Sequence, residues 1–171
     1  MKIAFRMGVV LLSVAVLQVG VMAQLPIAGV SADLLILLAV VGGLTLGPDR
    51  GAIVGFAAGL SYDIFLQSPL GLRALVFCLV GFVAGRYQAS VTRSSRARLM
   101  ATVAFATASG YGLLAVVGWV LGQRNMITDR LPLIIVVVSI FNAVLAPLAV
   151  RVVRWAWNER LPSGVGASYG H

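Results

Sequence analysis

Six apolar runs, each parted from the next by a short polar or basic segment, decide what this chain folds into. They extend over about Met7–Leu25, Asp33–Leu46, Gly51–Phe65, Leu70–Tyr87, Leu99–Leu121 and Leu131–Val150. A helix of roughly 17–25 apolar residues crosses the ~30 Å of a bilayer's hydrocarbon. The second and third runs are shorter, so they stand upright, thin the bilayer or enter it only in part. Gly47-Pro48-Asp49-Arg50 between them predicts a tight turn at the membrane surface. Charged residues make up 11% of the chain, against roughly a quarter in soluble domains. That excludes an ordinary soluble enzyme. The reading is an all-α, polytopic membrane helix bundle of about six transmembrane helices. Residues 1–160 form one transmembrane domain and 161–171 a flexible cytoplasmic tail. Lys2 and Arg6 before the first run imitate a signal peptide, but the run is too long and further spans follow.

The basic residues report topology. With both termini in the cytoplasm, Lys2, Arg6, Arg50, Arg86, Arg93, Arg96, Arg98, Arg151, Arg154 and Arg160 lie inside. Arg73, Arg124 and Arg130 lie outside. This distribution obeys the positive-inside rule, and the inverted arrangement violates it. The net charge of +8 therefore speaks for membrane topology rather than for nucleic acid. The arginine-rich segment after the fourth run also suits anionic lipids. Arg and Trp together in Arg151–Trp157 fit an interfacial anchor.

The catalytic inventory is sparse. The single cysteine, Cys78, allows no intrachain disulfide or cysteine zinc site, and the single histidine, His171, is the last residue. No HExxH motif, histidine-based triad or phosphate-binding GxxxxGK[ST] loop can be assembled. Asp33 and Asp63 lie near the outer ends of their spans, where a carboxylate pair serves catalysis or, more plainly, accepts helix-end hydrogen bonds. A charge at membrane depth needs a partner or water. Arg73, ten residues beyond Asp63 and across Ser68-Pro69, is placed to form an Asp63–Arg73 ion pair. The expectation is a protein that is not an enzyme and holds no cofactor or metal.

Glycine supplies the strongest pattern. Gly51, Gly55 and Gly59 share one face of the third helix, and Gly81 with Gly85 and Gly118 with Gly122 repeat the spacing. Small residues let helix backbones approach closely in lipid. The faces Gly51/Gly55/Gly59 and Gly118/Gly122 are candidates for docking another helix; packing within the chain is the alternative. Gln18 and Asn142, near the middle of the first and sixth spans, call for interhelical partners or line a cavity. Pro147 is expected to bend the last helix.

The stretch Gly55-Phe56-Ala57-Ala58-Gly59-Leu60-Ser61-Tyr62-Asp63, then Pro69-Leu70-Gly71-Leu72-Arg73-Ala74-Leu75, then Leu79-Val80-Gly81-Phe82-Val83-Ala84-Gly85, resembles the bacterial rod shape-determining protein MreD family. Asp33 opening the second span, and Asn142 with Pro147 in the last, also resemble it. The family often has proline before that first aspartate, where this chain has Ala32. The resemblance implies a non-enzymatic scaffold of cell-wall elongation in the bacterial cytoplasmic membrane. Its implied partners are the bitopic protein MreC, the peptidoglycan glycosyltransferase and transpeptidase of the elongation complex and, indirectly, actin-like MreB. It also implies a fold similar to the substrate-binding subunits of energy-coupling-factor transporters. A vitamin-type transporter subunit is therefore the alternative. It would need a polar or aromatic pocket opening outward, and the outer loops here are short and poor in such residues.

Overall fold

The computed structural model describes residues 2–18, 20, 33–65, 71–87, 96–122 and 130–157. They form six helices and, among them, no strand: α1 (Lys2–Leu17), α2 (Leu34–Leu46), α3 (Pro48–Phe65), α4 (Leu72–Arg86), α5 (Arg96–Val120) and α6 (Leu131–Trp157). Each apolar run holds one helix. Pro69, Arg93, Arg124 and the 161–171 tail lie outside the described residues.

The helices differ in reach. At 1.5 Å per residue, α5 and α6 extend ~37 and ~40 Å, and these two are long and apolar enough to cross a membrane. The apolar part of α1 and the whole of α2 are shorter. The last helix corrects the sequence reading, which ended it at Val150. It continues to Trp157, so Arg151, Arg154, Trp155 and Trp157 are helical. Arginine and tryptophan tolerate helix, and Arg154 in the last turn complements the helix dipole.

The α2–α3 turn is a single residue. Gly47 has φ 92°, a conformation that glycine reaches without a Cβ clash, and its N–H donates to the Gly43 carbonyl at 3.0 Å. Pro48 opens α3, where its missing N–H costs nothing, and Asp49 sits in the positive first turn.

Helix α2 is the axis of the bundle. Every residue from Leu35 to Leu44 is buried, as an element that is apolar all round requires. The glycines bring α3 and α4 against it. A Cβ on Gly51 would strike the Gly43 backbone and the Gly81 carbonyl. One on Gly55 would strike the Phe77 carbonyl, one on Gly59 the Arg73–Ala74 backbone, and one on Gly85 Pro48. Of the two readings of the Gly51, Gly55 and Gly59 face, the contacts seen are those of packing within the chain, with α4 and α2 against the glycines. Gly118 and Gly122 do not share one continuous helix face. Gly118 is buried, whereas Gly122 lies in the turn after α5 has ended.

Large side chains point the other way. On α3, Ile53, Phe56, Leu60 and Ile64 are exposed opposite the glycines. On α6 the exposed stripe is Leu133, Val136, Ile140, Val144 and Leu148, and on α5 Phe105 is 76% exposed. Soluble monomers seldom expose apolar patches beyond a few hundred Å². Small residues inside and bulky apolar residues outside suit a lipid solvent.

The charges segregate. Arg6 of α1 lies over the Trp155 ring at 5.8 Å, and Arg50 of the α2–α3 turn over Trp157 at 4.7 Å. Gly85 of α4 meets Pro48. The start of α1, the α2–α3 turn and the ends of α4 and α6 thus share a basic end. The other end gathers Gln18, Asp33, Asp63 and Arg73.

Candidate functional site

A buried polar cluster joins five helices at this second end. It begins with backbone groups that helices cannot satisfy themselves: the first N–H groups of α2 and α4. Asp33 is the extended residue before α2 and is 1% exposed. Its Oδ1 accepts from the Leu35 and Ile36 N–H groups at 3.1 and 3.2 Å. Gln18 Oε1, just beyond α1, accepts from the Leu34 N–H at 2.8 Å. Three orphan donors of α2 are thereby satisfied, one of them from another helix.

Helix α4 starts differently. Its N-cap is Gly71, left-handed at φ 102°, which has no side chain with which to cap. Asp63 of α3, 1% exposed, supplies the acceptor instead. Its Oδ2 takes the Gly71 N–H at 2.9 Å and the Ala74 N–H at 3.3 Å. This explains physically why an aspartate near the end of one span and a glycine opening the next occur together in the motif.

Two tyrosines and an arginine complete the cluster. The Tyr111 hydroxyl of α5 donates to Asp33 Oδ2 at 2.9 Å. The Arg73 guanidinium lies over the Tyr62 ring at 4.2 Å. The Tyr62 hydroxyl is within hydrogen-bonding reach of Gln18 and Arg73, and its ring meets Phe77 edge-on at 6.5 Å. Arg73 is also close enough to act electrostatically on Asp33. Buried charge is tolerated only when hydrogen-bonded or paired, and here both aspartates accept bonds from helix starts. Helix α5 continues about nine residues, ~14 Å, past Tyr111. The cluster is therefore recessed below that helix's end.

The structure brings Asp33, Asp63, Gly71 and Arg73 to one place. Phe56 and Leu60 face outward, and Gly55, Gly59, Gly81 and Gly85 form the internal seam. Asn142 lies apart, in the α5–α6 interface, where its Nδ2 donates to Thr107 Oγ1 at 3.4 Å. Asn142 Oδ1 and the nearby Ser139 Oγ are buried with no partner among the described residues. Pro147 sits on the exposed side of α6, which runs on beyond it. Gln18 is at the far end of α1 rather than its middle. Sequence reasoning missed Tyr62 and Tyr111 as site residues. The available signal was chemical: a tyrosine hydroxyl within an apolar span needs a partner.

Among the described residues, no three His, Cys, Asp or Glu side chains converge to hold a metal ion. The arrangement joins helices: it satisfies helix starts and fixes the register of five elements.

The family model for rod shape-determining protein MreD matches residues 1–155 of the chain. The chain belongs to the MreD family. That family is a membrane protein with a shape-determining, structural role. In this MreD-family chain the aspartate–glycine motif is accounted for by the capping of α4. Comparison with curated proteins and with solved structures gives no match.

Proposed function

We propose that this MreD-family chain is a non-enzymatic scaffold of the cell-wall elongation machinery in the bacterial cytoplasmic membrane. In this reading all six helices are membrane spans, with both termini and the basic end in the cytoplasm. The recessed polar cluster faces outward. The protein controls rod shape by holding an MreC-like bitopic protein beside the peptidoglycan glycosyltransferase and transpeptidase, with actin-like MreB coupled indirectly.

The family match over residues 1–155 carries the reading. Two features support it. The segregation of Arg6, Arg50 and the α6 arginines to one end suits a cytoplasmic face. The shell of bulky apolar side chains on α3, α5 and α6 suits contact with other membrane helices. Because the glycine seam is filled internally, the partner's helix is expected on this shell.

Affinity purification of the tagged chain from native membranes in mild detergent, read by mass spectrometry, tests the proposal. The expected result is recovery of MreC and peptidoglycan synthases. Recovery of paired ATPases with a large transport subunit, without MreC, would replace it with the transporter reading.

A further inference from the structure

Two buried polar atoms of α6 have no hydrogen-bond partner: Asn142 Oδ1 and Ser139 Oγ. Asn142 is 0% exposed and Ser139 7%. The two residues stand three apart, so they share one face of the helix. Four other helical hydroxyls, those of Thr45, Ser61, Thr102 and Ser109, each donate to the carbonyl four residues earlier at 2.7, 2.8, 2.9 and 2.9 Å. That back-bond satisfies a hydroxyl within an apolar helix. Ser139 makes none, so its hydroxyl is turned from its own backbone. Across the interface Thr107 of α5 is fully buried, and its Oγ1 accepts from Asn142 Nδ2 at 3.4 Å. Thr107 and Asn142 each lie eleven residues beyond the start of a helix able to cross a membrane. That rise, ~16 Å, is about half the hydrocarbon thickness.

We propose that Asn142 and Ser139 hold one water molecule inside the α5–α6 interface, at mid-membrane depth. The donor set selects water. An amide oxygen only accepts, and a hydroxyl both donates and accepts. A bound water can donate to Asn142 Oδ1 and exchange a bond with Ser139 Oγ, which meets the need of a buried water for at least about two polar partners. The site brings no charge that would hold an ion. Thr107 lies one turn from Tyr111 on the same face of α5, but Asp33, the carboxylate bonded to Tyr111, already accepts three donors. Leaving both oxygens unbonded in a dry interface is costly, because each gave up its bonds to solvent on burial. The water completes the polar contact that Asn142 and Thr107 make between the last two helices. The site is separate from the polar cluster and does not depend on the scaffold reading.

Solid-state NMR of the full chain, carbon- and nitrogen-labelled in lipid bilayers, tests this. Polarisation is passed from water protons to protein carbons. Arg151, exposed at the basic end, is the wet control, and Val103, fully buried on α5, is the dry one. The expected result is transfer from water to Asn142 Cγ and Ser139 Cβ, with none to Val103. Ser139→Ala removes one of the two oxygens and is expected to abolish transfer to Asn142 Cγ. Asn142→Leu is expected to abolish it at Ser139 Cβ. The milder Ser139→Ala keeps the test valid if Asn142→Leu fails to fold. Absence of transfer at Asn142 Cγ while Arg151 shows it, or transfer to Asn142 Cγ that survives Ser139→Ala, would overturn the proposal.

Discussion

Asp63 Oδ2 accepts the N–H of Gly71 at 2.9 Å, so the carboxylate that closes α3 caps the helix after it. Gly71 is left-handed and has no side chain of its own for the task. The pair ties two consecutive helices into one unit.

Removal of this cap is expected to destabilise the bundle. Asp63→Ala is predicted to cost about 1–2 kcal/mol, and Asp63→Asn less, since asparagine also caps. Thermal melts of the purified chain in detergent, followed by circular dichroism, measure both. Equal melting points for wild type and Asp63→Ala would show that the cap contributes nothing.

Arg73 lies two residues beyond Gly71 and over the Tyr62 ring. Asp63 and Arg73 are predicted to couple as an ion pair around the first turn of α4. In a double-mutant cycle of Asp63→Ala and Arg73→Ala, the interaction energy is expected at 0.5 kcal/mol or more. Additive losses would mean that the two act separately.

Tyr111→Phe removes the side-chain hydrogen bond that ties α5 to Asp33. A bond to a charged group is worth about 1.5–3 kcal/mol, and a loss of that order is predicted. Hydrogen exchange is expected to rise at the start of α2. A variant as stable as wild type would show that Asp33 is satisfied by Leu35 and Ile36 alone.

Gly55→Ala is predicted to prevent accumulation of folded protein, because the added methyl meets the Phe77 carbonyl. Gly112→Ala is predicted to be tolerated, since no atom beyond its own helix lies within 4 Å of the added carbon. Size-exclusion profiles of the two variants in detergent check this contrast. Normal folding of Gly55→Ala with loss only of partner binding would return the glycine face to a docking role.

Much of the fold was legible because lipid imposes simple rules. Gly47-Pro48 announced the turn, Asp33 the start of α2, and the four-residue spacing of Gly51, Gly55 and Gly59 a close helix contact. The spacing did not tell which neighbour fills that face, because small residues serve internal and external partners alike. Arg151 and Arg154 read as the end of a span, although the backbone stays helical through them to Trp157. The cluster was least legible. Tyr111 lies 78 residues from Asp33 in sequence, and only the packing of α5 on α2 makes them neighbours.

The central claim is that this chain works through its outward apolar shell while the glycine seam and the polar cluster stay internal. Photo-crosslinking tests it most directly. A benzophenone amino acid is placed in turn at Ile53, Phe105, Val116 and Ile140, all exposed, in cells that depend on the variant for rod shape. The account predicts crosslinks to the single transmembrane helix of an MreC-like protein from a contiguous subset of these positions. Variants that maintain rod shape yet crosslink to no protein at any position would contradict it.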